Sequence, residues 1–148
     1  MLRRVRDIFD FNDPLLLSIF KLGGREVSKP ELASLLAREG EPDFALCEDE
    51  LLARFLNGLI INNRGAKDDG TPEPEPDLSN NMVLRKLRIA LNLQADDLLE
   101  ILKLNECTLS KHELSALFRR PDHKNYRECQ DELLCNVLDG MKKRYRKK

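Results

Sequence analysis

Apolar residues recur along the chain at helical spacing, and the same succession of apolar and polar positions occurs twice. Residues 2–66 align with residues 84–148 without a gap at an offset of 82, and 22 of the 65 paired positions are identical. Apolar residues three and four positions apart form one face of a helix, which packs against a core. No segment shows the strict alternation of a half-buried strand. The pattern therefore predicts an all-α fold.

Each copy contains four predicted helices, of which the last is the longest. The stripe of the first helix consists of Leu2, Val5, Ile8 and Phe9, with Leu84, Leu87 and Leu91 as its second version. A repeat of this length is one whole folding unit written twice. We predict two tandem homologous four-helix subdomains, at residues 1–66 and 83–148. Residues 67–82 include an alternation of proline with glutamate at residues 72–76, and we predict an extended acidic linker there.

The starts of the helices carry capping signals. Ser28 with Glu31, and Ser110 with Glu113, have the spacing of a capping box, in which each side chain accepts a hydrogen bond from a backbone N–H group at the helix start. Aspartates precede the remaining apolar stretches and are predicted to be N-caps, at Asp13, Asp49 and Asp131.

Glycines mark two further features. Gly23-Gly24 should end the second helix by adopting positive φ, and Asn105 occupies the matching position of the second copy. Gly58 and Gly140 lie inside the fourth helices, where glycine costs about 1 kcal/mol relative to alanine. We expect another helix, the first of the same copy, to approach too closely there for a side chain. The alternative is that the missing side chain leaves room for a ligand.

Charge is distributed unevenly between the two copies. The net charge of −1 divides into −2 for residues 1–66, −4 for residues 67–82 and +5 for residues 83–148. A basic second copy could attract an anionic partner. No apolar run approaches the roughly 18 residues that a membrane span requires, and charged residues interrupt the N-terminus where a signal peptide would be apolar. We therefore expect a cytoplasmic protein without membrane contact.

The order of helices resembles a helix-turn-helix, in which the third helix would enter the major groove. The turn before that helix is longer than the three to four residues of the tight form. Three-helix packing of this kind also occurs in proteins that never contact nucleic acid. The candidate nucleic-acid-binding residues, all in the basic second copy, are Lys111, His112, Ser115, Arg119, Arg120 and Lys124.

Catalytic and metal-binding patterns are weak. Cysteines and histidines in the second copy lack the spacings of structural zinc sites, and no glycine-rich phosphate loop or nucleophile elbow is present. His123 and Cys129 could form a nucleophile pair, but the first copy has no matching histidine. We therefore predict no metal, no cofactor and no enzyme activity.

The second helix of the first copy favours a protein partner. Residues 15–20 are apolar around almost the whole circumference, which calls for burial in the core and for a second covered surface. The preferred interpretation is a non-enzymatic binding module that acts through protein–protein contact or self-association. Nucleic-acid binding by the second copy is the alternative.

Three stretches together resemble the bacterial YehS-like family. They are Phe55 to Ile60, Asn80-Asn81 with the basic stretch from Leu84 to Ala90, and Pro121 to Cys129. The resemblance covers essentially the whole chain and implies a bacterial cytoplasmic protein built from a duplicated domain of unknown function. It implies no activity, substrate or cofactor.

Overall fold

The computed structural model describes residues 2–37, 40–42, 44–45, 47–64 and 77–145. These residues form eight α-helices and no strand, so the prediction of an all-α fold is confirmed. The first four helices are α1 (Leu2–Phe9), α2 (Asp13–Leu22), α3 (Lys29–Leu36) and α4 (Asp49–Arg64). The other four are α5 (Asn80–Ala90), α6 (Ala95–Leu104), α7 (Lys111–Leu117) and α8 (Asp131–Tyr145).

The chain divides into two compact units, Met1–Leu78 and Ser79–Lys148. Of the linker that we predicted at residues 67–82, residues 67–76 lie outside the described residues. Its last three residues belong to α5, because the Ser79 side chain accepts a hydrogen bond from the Met82 N–H (3.2 Å) and starts that helix. The first helix of the second copy thus begins four residues before Leu84, the first apolar residue of its predicted stripe.

The core of each unit lies between its second and fourth helices. In the first unit α2 packs on α4, with Phe20 and Phe55 fully buried and their ring centroids 5.0 Å apart. In the second unit α6 packs on α8 in the same way, and Ile101 and Met141 are fully buried between them. Both units therefore bury the apolar faces that the repeated pattern identified.

The predicted aspartate caps lie one residue inside their helices. Asn12, not Asp13, is the N-cap of α2, and its Oδ1 accepts from the Leu15 N–H (3.0 Å). Asp49 and Asp131 are the first residues of α4 and α8. Their carboxylates make tertiary contacts instead, with the Leu78 N–H (2.9 Å) and with the Asn80 side-chain amide (2.7 Å). An acidic group in the first helical turn still complements the helix dipole.

Positive φ after the second helix of the first unit occurs at the second residue of the predicted pair Gly23-Gly24. Gly24 has φ +92°, whereas Gly23 has φ −79°. In the second unit Glu106 takes the left-handed conformation (φ +57°), and Asn105, which we assigned to it, does not. Asn105 instead uses its side-chain amide to bind Asn136 Oδ1 on α8 (2.9 Å).

The two serine caps are both present, but only one capping box is complete. Ser110 Oγ accepts from the Glu113 N–H, and Glu113 Oε1 accepts from the Ser110 N–H (3.0 and 3.1 Å). Ser28 likewise accepts from the Glu31 N–H (3.2 Å), but the Glu31 carboxylate pairs with Arg25 (2.7 Å). Glu113 also pairs with an arginine, Arg127 (3.3 Å), which comes from a different part of its repeat.

Candidate functional site

Three of the six candidate nucleic-acid-binding residues lie on the exposed surface of α7. Lys111, His112 and Ser115 are exposed at the first, second and fifth positions of this helix. The Lys111 ammonium forms an ion pair with Asp96 on α6 (3.2 Å). Because both side chains are about three-quarters exposed (74% and 73%), this pair is weak and leaves the lysine accessible.

The remaining three candidates lie after the end of α7. Lys124 is exposed, and Arg120 is exposed and lies 3.8 Å from Asp122. Arg119 is half-buried, and its Nε is enclosed without a hydrogen-bond partner in the described part of the chain. Six residues, 105–110, separate α6 from α7, against three to four in a tight helix-turn-helix. The role of these residues in nucleic-acid binding stays a prediction.

The glycines inside the fourth helices are packing sites. A Cβ on Gly58 would overlap the Ile19 carbonyl oxygen, and a Cβ on Gly140 would overlap that of Ile101. Both carbonyls belong to the second helix of the same unit, not to the first as we expected. The close approach of backbone to backbone leaves no room for a ligand beside either glycine.

The cysteine of the candidate nucleophile pair, Cys129, is buried away from solvent. Its burial raises the thiol pKa to about 11. His123 lies in an exposed turn, where its Nδ1 accepts from the Asn125 N–H (3.0 Å). Cys47, which occupies the matching position of the first copy, also has a pKa raised to about 11 by burial. Within the described residues, no group of three or more histidine, cysteine, aspartate or glutamate side chains could hold a metal ion.

Asn81 organises the segment before α8, and sequence reasoning gave it no role. Its buried side-chain amide donates to the carbonyls of Leu117 and Arg127 (both 2.9 Å), and its Oδ1 accepts from the Cys129 N–H (2.8 Å). Its neighbour Asn80 donates to the Cys129 carbonyl (3.0 Å). A buried asparagine on an otherwise apolar helix face was the signal that could have identified it.

A cleft occurs at the same place in both units. It lies beside the start of the fourth helix, with a volume of about 250 Å³ in the first unit and about 280 Å³ in the second. The two clefts differ in charge, because two arginines line the first where neutral side chains line the second. The matching residues are Arg25 and Cys107, Glu48 and Gln130, Glu50 and Glu132, Leu51 and Leu133, and Arg54 and Asn136.

A larger groove of about 550 Å³ lies between the end of α6 and the end of α8. Leu104 lines it and is 47% exposed, which makes it the most exposed large apolar residue in the described part of the chain. Among the described residues, the lining also includes Lys103, Lys143, Arg144 and Glu100, and Arg144 is ion-paired with Glu100 (3.9 Å). The groove thus combines an apolar floor with a mainly basic rim.

The comparisons with known proteins agree with the duplication. The model of a family described as "Protein of unknown function (DUF1456)" matches residues 1–65 and 80–147. The chain is similar to the "Uncharacterized protein YehS" of Escherichia coli (strain K12), with 45% identity over 143 residues, 95% of this chain and 91% of that protein. No solved structure matches it. Among the described residues, no helix combines the length and the apolar character needed to cross a membrane.

Proposed function

The chain belongs to the family of proteins of unknown function DUF1456, and we propose that it is a non-enzymatic helical binding module that acts through protein contact. The observation that carries this proposal is the groove between α6 and α8. The half-exposed Leu104 in a concave surface supports the proposal, because a partner segment would remove this side chain from water. The basic rim fits a partner segment that carries acidic residues beside an apolar one.

The second helix of the first unit gives less support than we predicted. Leu16, Ile19 and Phe20 are buried, but Leu15 and Leu17 are half-buried, and neither forms an exposed apolar patch. The contact surface is therefore better assigned to Leu104 of the second unit. The high thiol pKa values of Cys47 and Cys129 support a non-enzymatic role, because a protonated thiol is a poor nucleophile.

A photo-crosslinking amino acid at position 104 of the full chain tests this proposal. We expect a discrete protein adduct, either with a second copy of the chain or with another protein, and we expect Lys143→Glu to weaken it. Ile89 is the matched control, because it is 41% exposed and lies on α5, outside the groove. Equal crosslinking at positions 89 and 104, together with a monomer at all concentrations in sedimentation, would contradict the proposal.

A second candidate function is nucleic-acid binding by α7. The observation in its favour is that Lys111, His112 and Ser115 share an exposed helical surface in the unit that carries +5. The affinity for a DNA duplex should then fall steeply with salt. Lys111→Ala should reduce the salt slope by about 1, whereas Lys29→Ala, at the matching position of the first copy, should not. Binding that is absent at low salt, or unchanged in Lys111→Ala, would exclude this function.

A further inference from the structure

We propose that residues 127–129 form a docking edge for an extended segment of a partner protein, which adds to this chain as a β-strand. The inference rests on the proposed function, since both concern protein contact, but it concerns the cleft before α8 and not the groove between α6 and α8. The partner segment would carry an apolar side chain next to a lysine or arginine.

The first step is that the hydrogen bonds of residues 127–129 have the pattern of an extended chain. The amide of Asn81 donates to the Arg127 carbonyl and accepts from the Cys129 N–H, the two groups that flank Glu128. A residue of a neighbouring parallel strand pairs with an extended chain in this way. The Arg127 N–H and the Cys129 carbonyl are also bonded, to the Ala116 carbonyl (3.1 Å) and to Asn80 (3.0 Å). One edge of the segment is therefore fully paired.

The second step is that the other edge is open. In an extended chain, the N–H and C=O groups of successive residues point to opposite edges, so those of Glu128 point away from Asn81. Within the described residues, neither group has a hydrogen-bond partner. An open strand edge is a template for pairing with another chain. Peptides that add to such an edge gain affinity from main-chain hydrogen bonds and specificity from side-chain pockets.

The third step is that a pocket accompanies this edge. The cleft of about 280 Å³ is lined by Glu128, and no residue of α5, which holds the paired edge, is among its described lining. Leu109, Leu117 and Leu133 supply its apolar surface. An apolar side chain of an added strand would be covered by these leucines.

The charged side chains around the cleft indicate which residues the partner would carry. Arg127 on the rim is paired with Glu113, whereas Glu128 and Glu132 have no ion-pair partner in the part of the chain that the structure describes. Glu128 and Glu132 make this rim acidic, although the net charge of the unit is positive. A lysine or arginine beside the apolar residue of the partner would complement it.

The first copy builds the same segment in part. The Ala45 N–H donates to the Ser34 carbonyl (3.0 Å), as the Arg127 N–H does to Ala116 at the matching positions. The matching cleft is lined by two arginines and two glutamates, and Arg25 and Arg54 are paired with Glu31 (2.7 Å) and Glu50 (3.5 Å). The lining of the second cleft has more acidic than basic side chains, so a basic partner fits the second copy better.

Panning a phage-displayed library of random linear peptides against the full chain tests the inference. We expect the selected peptides to share an apolar residue next to a lysine or arginine. An N-methyl scan of one selected peptide, titrated against the parent chain, supplies the decisive signature. Because the open edge offers one acceptor, the Glu128 carbonyl, methylation should cost roughly tenfold in affinity at the one peptide residue whose N–H meets it and little at the other residues.

Two variants locate the site and separate the two proposals. Glu128→Pro removes the open N–H group and should weaken the peptide roughly tenfold, while Glu48→Pro, at the residue before α4, leaves this edge intact and is the control. An N-methyl scan in which no single position stands out, or failure to select any peptide, would overturn the strand-docking inference. Selected peptides that lose binding in Leu104→Glu but not in Glu128→Pro would overturn it as well and leave the proposed function standing.

Discussion

The carbonyl oxygen of Ile19 occupies the space in which a side chain on Gly58 would begin, and Ile101 stands in the same relation to Gly140. Each contact joins the second and fourth helices of its unit backbone to backbone. The same contact between glycine and carbonyl occurs in both copies, although their neighbouring residues differ. This contact therefore sets the distance between the second and fourth helices.

Substitution of Gly140 should therefore destabilise the protein. Alanine would gain about 1 kcal/mol of helix propensity, but its Cβ overlaps a backbone atom that cannot rotate away. We expect a net loss of roughly 1–3 kcal/mol for Gly140→Ala and a larger loss for Gly140→Leu, measured by urea denaturation. Ser115→Ala on the exposed surface of α7 is the control and should stay within about 0.5 kcal/mol of the parent. A Gly140→Leu variant as stable as the parent would show that the helices are farther apart.

Replacement of Asn81 should release the segment before α8. Its side chain satisfies two carbonyls and one N–H group, and loss of a buried partner costs about 1–3 kcal/mol per group. We expect Asn81→Ala to lose roughly 2–4 kcal/mol and to expose residues 118–130 to limited proteolysis. Asn80→Ala is the milder control, because it removes hydrogen bonds that are partly exposed. Equal cleavage of the two variants would contradict this account.

Acid should weaken the start of α7 through Glu113. The N–H and hydroxyl of Ser110 lower the pKa of this carboxyl, with a smaller contribution from Arg127. A carboxyl whose pKa is lower in the folded chain stabilises the fold above the ordinary glutamate pKa of about 4.3, and this contribution disappears as pH falls through the lower, folded value. Glu113→Gln should therefore lose less stability than the parent when pH is lowered through that range. Acid unfolding curves of identical slope would contradict the assignment.

The four cysteines should differ in reactivity. Cys135 is exposed, whereas burial holds the thiol pKa of Cys47 and Cys129 at about 11. Since the thiolate is the reactive form, iodoacetamide at neutral pH should label Cys135 first and Cys129 much more slowly, as measured by mass spectrometry. Denaturant should equalise the two rates. Rapid labelling of Cys129 in the folded chain would show that its environment opens.

Features that depend on neighbours in sequence could be predicted, and those that depend on neighbours in space could not. The apolar stripes and the serine at the start of α7 were readable because periodicity and capping are local. The position of Asp49 was missed by one residue, because its carboxylate binds Leu78, which is distant along the chain. Gly140 was recognised as a close contact, but the helix that makes it was not.

The candidate nucleic-acid-binding residues show the same difference between features set by neighbours in sequence and features set by neighbours in space. The exposure of Lys111 and His112 on α7 followed from the helical period. The half-burial of Arg119 did not, because α7 ends at Leu117 and the helical spacing no longer applies. The hydrogen bonds of residues 127–129 were unreadable, since Asn81, the side chain that makes them, lies far away along the chain.

The arginine that accompanies the capping glutamate has a consequence for exchanging parts between the repeats. Glu31 takes its cation from the turn before its helix, at Arg25, while Glu113 takes it from the segment after its helix, at Arg127. A chimaera that carries the turn of the first copy, with Arg25, and the segment of the second copy, with Arg127, would place two guanidinium groups on one carboxylate. The opposite chimaera would place none. The copies are alike in shape but are no longer interchangeable components.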